Sequence, residues 1–442
     1  MVKTAIAHPN PILMKLIPLT LFTLILILTS SNATAFCGFY VAKADASLYN
    51  QASQVIIART WLRTTITMAN DYKGDPSEFA LVVPVPKVIK EHDVKVLDQA
   101  IVDHVDAYSA PRLTEYFDDN PCRVIQKEVI IEEVAGPGGR ADGPRALGVK
   151  VESEFSVGEY DIVVLSAKES DGLQTWLEQN GYRIPEGAGP VLGSYIKQGT
   201  KFFVAKVNLK RQAATGFTYL RPLQVTFTTL KFKLPIRLGT VNASGPQDLL
   251  IYVITKKGRV ETTNYRTVKL PTGQHLPLFV RDNFAEFYRA MFDEAVRLEK
   301  METVFTEYAW DLGWCDPCAS DPLTNGELRK LGAHWVRGEE EGRPEEGRAF
   351  ITRLHLRYDR EHFPEDLVFQ ETRDTKNYQG RYVLTHPWKG EPECESAREY
   401  LRRQPEEREK ENKTLARLTG WSLKSIRRRA AGYVDRATPP ER

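Results

Sequence analysis

Apolar and polar positions alternate every second residue through much of the first two thirds of the chain. β-branched runs at residues 55–58 and 64–68 predict the two strands of a hairpin. Residues 79–83 predict a third strand, ended by Pro84 and Pro86, which have no N–H to give a ladder. Leu147, Val149, Val151 and Phe155 alternate with Gly148, Lys150, Glu152 and Glu154, the signature of a half-buried strand. Residues 124–131, 160–166, 201–209, 223–230 and 249–255 read as further strands. A tight turn at 256–259 joins the last of these to 260–265.

Spacings of three and four appear instead at Val94, Leu97, Ile101, Val105 and Tyr108, predicting a helix capped by Asp93 and stopped at Ser109-Ala110-Pro111. Asp171 is placed to cap a short helix carrying Leu173, Trp176 and Leu177, with Gly181 to close it. Asp282 is placed to cap a long helix presenting Phe284, Phe287, Met291, Ala295 and Leu298. Beyond Cys318 the pattern thins. Residues 339–348 read as a charged, solvated loop, 350–357 return to alternation at Ile351, Leu354 and Leu356, and 378–384 predict a last strand. Residues 395–429 read as a charged helix with Leu401, Leu415, Leu418, Trp421 and Ile426 as sparse anchors, followed by a disordered tail.

Strands and helices mix without a βαβ rhythm, which predicts an α+β fold of mixed or antiparallel sheets, a few packed helices and a charged helical C-terminal segment. The expected divisions are a leader at 1–35 and a β-rich body at 36–275, with a break near 135–145. A helix, a cysteine-pair stretch and a polar region then fill 276–392, and the charged helix and tail fill 393–442.

The leader changes the picture most. Lys3 and Lys15 precede an apolar run at 16–28, and Ala33-Thr34-Ala35 then offers the small residues that signal peptidase requires. Cleavage after Ala35 would make Phe36 the first mature residue. The run is shorter than the roughly 20 apolar residues a spanning helix needs, so an uncleaved leader is the one route to the membrane. Phe36, directly before Cys37, disfavours lipidation there. The expected location is extracytoplasmic, in the periplasm or secreted.

Of the chain's 60 basic residues only Lys3 and Lys15 lie in the leader, so 58 remain beyond it against 58 acidic ones. Zero net charge argues against a nucleic-acid partner, which needs uncompensated basic surface. Tryptophans and tyrosines admit an envelope protein or glycan as partner, although core packing is their commoner role.

Export permits disulfides, and the candidates are Cys37, Cys122, Cys315, Cys318 and Cys394. Cys37 and Cys122 are the cysteines of the first body, so a bridge between them is expected, closing a loop of roughly 85 residues. Cys315 and Cys318 stand in Trp310-Asp311-Leu312-Gly313-Trp314-Cys315-Asp316-Pro317-Cys318. The pair reads in three ways. As a structural tie, one of the two bridges to Cys394. As a redox pair, Trp314 and Pro317 resemble the flanks of the thioredoxin-like motif. Against that, Asp316 disfavours a thiolate, a long helix precedes the motif, and Asp321-Pro322 delays any following helix. As a zinc site it would need Cys394 and His334, without a second paired-cysteine motif.

Other chemical signals are weak. The glycine-rich stretch at 136–143 lacks the Lys-Ser/Thr pair of a phosphate loop and reads as a hairpin tip. His104 reads as part of a solvated helix face, and His275, His355, His362 and His386 stand alone. There is no Gly-x-Ser-x-Gly elbow and no His-Glu-x-x-His motif. No cofactor or metal is expected.

Several stretches together resemble one bacterial exported family, the domain of unknown function 2330. They are Cys37-Gly38-Phe39-Tyr40-Val41-Ala42-Lys43-Ala44, Met68-Ala69-Asn70-Asp71-Tyr72 and Phe79-Ala80-Leu81-Val82-Val83-Pro84-Val85-Pro86. Asp106-Ala107-Tyr108-Ser109-Ala110-Pro111-Arg112-Leu113, the cysteine-pair stretch and Arg381-Tyr382-Val383-Leu384 are similar too. The resemblance implies a bacterial extracytoplasmic protein and brings no catalytic residues with it. The reading that results is an exported, non-catalytic binding or structural module. The alternative is a thiol–disulfide protein acting through Cys315 and Cys318, so whether it is an enzyme stays open.

Overall fold

The computed structural model describes residues 39–40, 53–69, 80–123, 151–167, 170–179, 187–217, 219–241, 243, 245–316 and 321–436. The leader, Cys37, the predicted strand at 124–131, the stretch at 136–143, Gly181, Cys318 and residues 437–442 lie outside them.

In chain order the strands are β1 (Phe39–Tyr40), β2 (Ser53–Thr60), β3 (Arg63–Ala69), β4 (Ala80–Val85), β5 (Val94–Val96), β6 (Arg112–Phe117), β7 (Val151–Val157), β8 (Tyr160–Ser166), β9 (Lys201–Val207) and β10 (Leu223–Thr228). They continue with β11 (Lys233–Leu234), β12 (Gln247–Thr255), β13 (Val260–Thr262), β14 (Arg266–Lys269), β15 (Gln274–His275), β16 (Thr303–Asp311), β17 (Phe350–Tyr358), β18 (Leu367–Glu371), β19 (Tyr378–Gln379) and β20 (Arg381–His386). The helices are α1 (Gln99–Ser109), α2 (Ser170–Gln179), α3 (Ala188–Lys197), α4 (Leu209–Thr215), α5 (Phe284–Leu298), α6 (Asn325–Lys330), α7 (Glu395–Thr419) and α8 (Leu423–Gly432). The class is α+β.

Among the described residues the largest sheet has nine strands, ordered β14-β16-β17-β12-β2-β3-β10-β5, with β19 also pairing β16. It draws strands from both sides of residue 275, because β12 pairs with β2 in parallel and with β17 in antiparallel register. A five-stranded sheet, β1-β4-β9-β8-β7, lies against one of its faces. Their shared core joins Val55, Ile57, Ile66 and Met68 to Leu81, Val83, Ile162 and Phe203. Burying each aliphatic side chain of that kind contributes about 1.5–3 kcal/mol, which fixes the strand register, since a one-residue slip would turn the set outward. The other face of the large sheet carries α1 and α6 over Ile56, Tyr252 and Ile254.

A smaller sheet, β15-β20-β6, is entirely parallel. It packs under α5, α7 and α8, burying Tyr382 and Leu384 with Phe287, Met291, Leu415, Leu418 and Ile426. The charged α7 joins this core through its last turns, with Leu415 and Leu418. It ends where Gly420 takes φ +69° at the C-cap, a conformation that costs glycine nothing.

Four expectations change. The helix at 94–108 begins later: Asp98, not Asp93, caps α1 by accepting from the Ala100 N–H at 3.0 Å. Val94 and Val96 instead form β5 against β10, because two β-branched residues around an exposed lysine suit a sheet edge. The strand read at 201–209 stops at Val207, and Asn208 caps α4. Asn283, not Asp282, stands at the N-cap of α5. Finally, β16 intervenes between α5 and the cysteine stretch, so a strand and not a helix leads into Cys315.

Candidate functional site

The cysteines settle differently from expectation. Cys122 and Cys394 are disulfide-bonded to each other, with Cα atoms 5.9 Å apart across 272 positions of sequence. This replaces both expected bridges, Cys37 to Cys122 and Cys315 or Cys318 to Cys394. Topology supplies the reason: β6 and β20 run parallel with Phe117 opposite His386, and the Asp118 N–H donates to the His386 carbonyl. Both chains leave the sheet at the same edge, and each reaches its cysteine a few residues later. Cys315 is an exposed free thiol beside the half-exposed Trp314. Asp316 turns inward, accepting from Tyr308 Oη at 2.9 Å and Gln379 Nε2 at 2.6 Å. The next helix, α6, starts well beyond, at Asn325, under a capping box of Thr324 and Glu327.

Among the described residues no group of three His, Cys, Asp or Glu side chains is placed to hold a metal ion. His104 is not on a solvated face: its Nδ1 lies 2.7 Å from Glu327 Oε1 and its Nε2 2.7 Å from the Asp321 carbonyl. Burial pulls its pKa down, but these two acceptors outweigh it and leave the imidazole above its ordinary value.

A buried ionic cluster lies beneath α1 and α5. Glu307 on β16 is wholly buried and accepts from Arg353 Nε (2.6 Å), His355 Nδ1 (2.6 Å) and Tyr288 Oη. Arg353 Nη1 also donates to Asp106 Oδ1 on α1 at 2.6 Å, and Tyr252 Oη donates to the same oxygen at 2.5 Å. The His355 ring stacks on Phe292, with centroids 3.6 Å apart. Burial pushes the Glu307 carboxyl up, yet the charges of His355 and Arg353 and the hydrogen bonds prevail and hold it at about 2. The cluster joins sheet to helices. None of its members lines the cleft described next.

That cleft, of about 720 Å³, lies between the ends of β6 and β20 and the helices α7 and α8. Tyr116 and Asp118 line it from β6 and the residues just after, Phe279 and His275 from the segment around β15, and Glu411, Asn412 and Tyr433 from α7 and the end of α8. Asn412 is 7% exposed, and its Oδ1 is buried with no hydrogen-bond partner. Glu411 is partly buried, and burial is the main cause that lifts its carboxyl to about 7; Arg408 opposes the shift while Glu407 and Asp118 add to it. Below about pH 7 the cleft thus sets a carboxyl that holds its proton next to an amide oxygen that lacks a partner. Asp118 is held in place by accepting from Tyr400 Oη at 2.6 Å.

None of these cleft residues stood out in the sequence. The available signal was Asn412, a poor helix former inside a Glu/Lys/Arg run and three residues before the buried Leu415, hence on the same face.

Because the folded pKa of Glu411 lies above its unfolded value of roughly 4.5, the folded state binds the proton more tightly. Stability is therefore lost as pH rises from there through about 7. Glu411→Gln should remove the loss, stabilising the protein at pH 8 by at most about 3 kcal/mol and hardly at all at pH 4.5. Urea titrations at the two pH values would check it, and equal effects at both would refute it.

Fold and site define an α+β protein with two packed sheets, a covalent tie from body to C-terminal helix, and a polar cleft beside that tie. Residues 31–370 match a bacterial family described as an uncharacterized protein conserved in bacteria, domain of unknown function 2330, and the chain belongs to it. The helical wall of the cleft, α7 and α8, lies beyond the matched residues. No curated protein and no solved structure matches the chain.

Proposed function

We propose that this is an exported binding module that holds a neutral, hydroxyl- and amide-bearing ligand, of the kind found in envelope glycans, in the cleft between β6/β20 and α7/α8. The observation that carries the reading is Asn412 Oδ1, buried without a partner beside Glu411, in a cleft with the exposed aromatic Tyr116 at its side. An unsatisfied buried acceptor costs about 1–3 kcal/mol, and a ligand O–H or N–H relieves that cost. Sugar rings suit such a site, since hydroxyls pair with amide and carboxyl groups while C–H faces lie on an aromatic ring. Export is supported by the leader and by the Cys122–Cys394 bridge, a bond that lasts in oxidising compartments. No helix among the described residues is long and apolar enough to cross a membrane. The module is read as non-catalytic: the buried pair Glu307 and Arg353 is sealed in the sheet–helix junction, where no substrate reaches it.

Isothermal titration with an N-acetylglucosamine trimer tests the reading. Binding is expected at pH 6. Asn412→Ala and Tyr116→Ala should each weaken it about tenfold, the loss of one good contact of roughly 1.4 kcal/mol. Absence of binding, or binding indifferent to both substitutions, would sink the proposal. A second reading, thiol–disulfide exchange, is favoured by the exposure of Cys315. Disulfide reduction lost in Cys315→Ser would establish it.

A further inference from the structure

Between the two sheets lies a second cavity, of about 270 Å³, unlike the polar cleft. It opens where β4 runs out. Pro84 sits opposite Phe202 of β9, and on its other side β4 pairs with β1 only as far as Val82. Pro84 has no N–H to give a neighbouring strand. The short side chains of Val83, Val85 and Val225, with Met68 and Phe227, wall the space. At its mouth, Arg59 on β2 donates to the carbonyls of Thr229 and Leu230 at 3.1 and 3.2 Å, fixing the segment after β10. Leu230 is left 65% exposed.

Two lysines stand at the mouth. Lys231 and Lys233 line the cavity with Gln198, and no Asp or Glu lines it. Lys233 Nζ donates to Gln198 Oε1 at 2.9 Å and pairs with Asp366 Oδ2 at 3.4 Å, which holds it at the rim. Lys231 is exposed. A methylene takes somewhat less room than a liquid water's roughly 30 Å³, so the cavity takes an alkyl chain of roughly ten carbons, with the carbon next to the carboxylate at the rim. A slender apolar space with a cationic rim suits one ligand chemistry.

We infer that this inter-sheet cavity binds a medium-chain fatty acid, its alkyl chain between β4 and β3/β10 and its carboxylate at Lys231 and Lys233. The site is separate from the polar cleft and independent of what the cleft holds. Leu230 is the apolar doorstep over which the chain enters.

Laurate, titrated calorimetrically into the exported protein below its micellar concentration, is the probe, and dodecyltrimethylammonium is the comparison. One laurate per protein is expected, with the cationic amphiphile at least about tenfold weaker. Lys231→Glu, on the surface and outside the core, should weaken laurate about tenfold without lowering Tm. Val225→Phe, which fills the cavity, should abolish binding. Asn412→Ala, in the cleft, should leave it unchanged. No laurate binding, equal binding of the two amphiphiles, indifference to Lys231→Glu, or loss in Asn412→Ala would each overturn the assignment. Should Val225→Phe fail to fold, the lysine variant and the charge comparison decide alone.

Discussion

Arg353→Ala should cost about 3–5 kcal/mol of folding stability, because it strips the cation from a carboxylate that water cannot reach. Glu307 is wholly buried, and Arg353 Nε is one of its three donors. Domains of this kind are stable by roughly 5–15 kcal/mol, so this one change removes a large share. Glu307→Gln should be milder, since Arg353 keeps Asp106 at 2.6 Å and the face of Tyr252. Replacing both by apolar residues of similar volume, Glu307→Leu with Arg353→Met, should recover much of the loss, as such clusters serve specificity more than net stability. The pH dependence has a definite sign. The folded pKa of Glu307, about 2, lies below its unfolded value of roughly 4.5, so its contribution is complete above that value. It drains away as pH falls from there through 2, amounting to about 3 kcal/mol. Urea melts at pH 7 and pH 3 on the three variants check this. An Arg353→Ala protein within about 1 kcal/mol of the parent would mean that the cluster carries no such load.

That cluster also marks where the sequence could be read and where it could not. β8 and the β2–β3 hairpin were legible because their apolar residues are local and β-branched, which is what a two-residue period reports. β16 escaped the same test. Its Glu307 breaks the apolar pattern, yet it is buried by Arg353 and His355, which come from β17 more than forty residues later. β5 was misread for a related reason. Val94 and Leu97 fall at helical spacing from Ile101, and only the partner strand β10 shows that Val94 belongs to a sheet. The cleft was hidden more deeply. Asn412 and Glu411 look like any solvated helix face until the parallel pair β6/β20 and the turn at Phe279 close over them. The disulfide pairing depends on that same parallel register, which no periodicity in either strand encodes.

Cutting the Cys122–Cys394 bond should release the first half of α7 while leaving the sheets intact. The bond closes a loop of 272 positions, and the chain-entropy model gives such a loop up to about 5 kcal/mol of stabilisation. Little else holds the start of this helix. Between Glu395 and Pro405, Ala397 is buried, Leu401 is 39% exposed, and most other side chains are exposed charges. Tyr400 contributes two hydrogen bonds, donating to Asp118 and accepting from the Trp388 N–H, and an edge contact with the Trp388 ring. From Leu415 onward the helix is anchored in the core by Leu415 and Leu418, and the following α8 by Ile426 and by Arg429, which pairs with Glu286 on α5. Two regimes should therefore follow from one mutation. In Cys394→Ser, trypsin should cut at Arg398, Arg402 and Arg403 well before it reaches β16 or β17, and the product should keep the far-UV dichroism of the sheets. Cys122→Ser should give the same cleavage pattern, since both changes break one bond, and so should the parent protein under dithiothreitol. Because Gln404, Glu407 and Arg408 line the cleft, ligand binding should fall in parallel with the fraying. Identical tryptic patterns with and without reductant would show that α7 is held by packing alone, and that the covalent tie contributes nothing to the site.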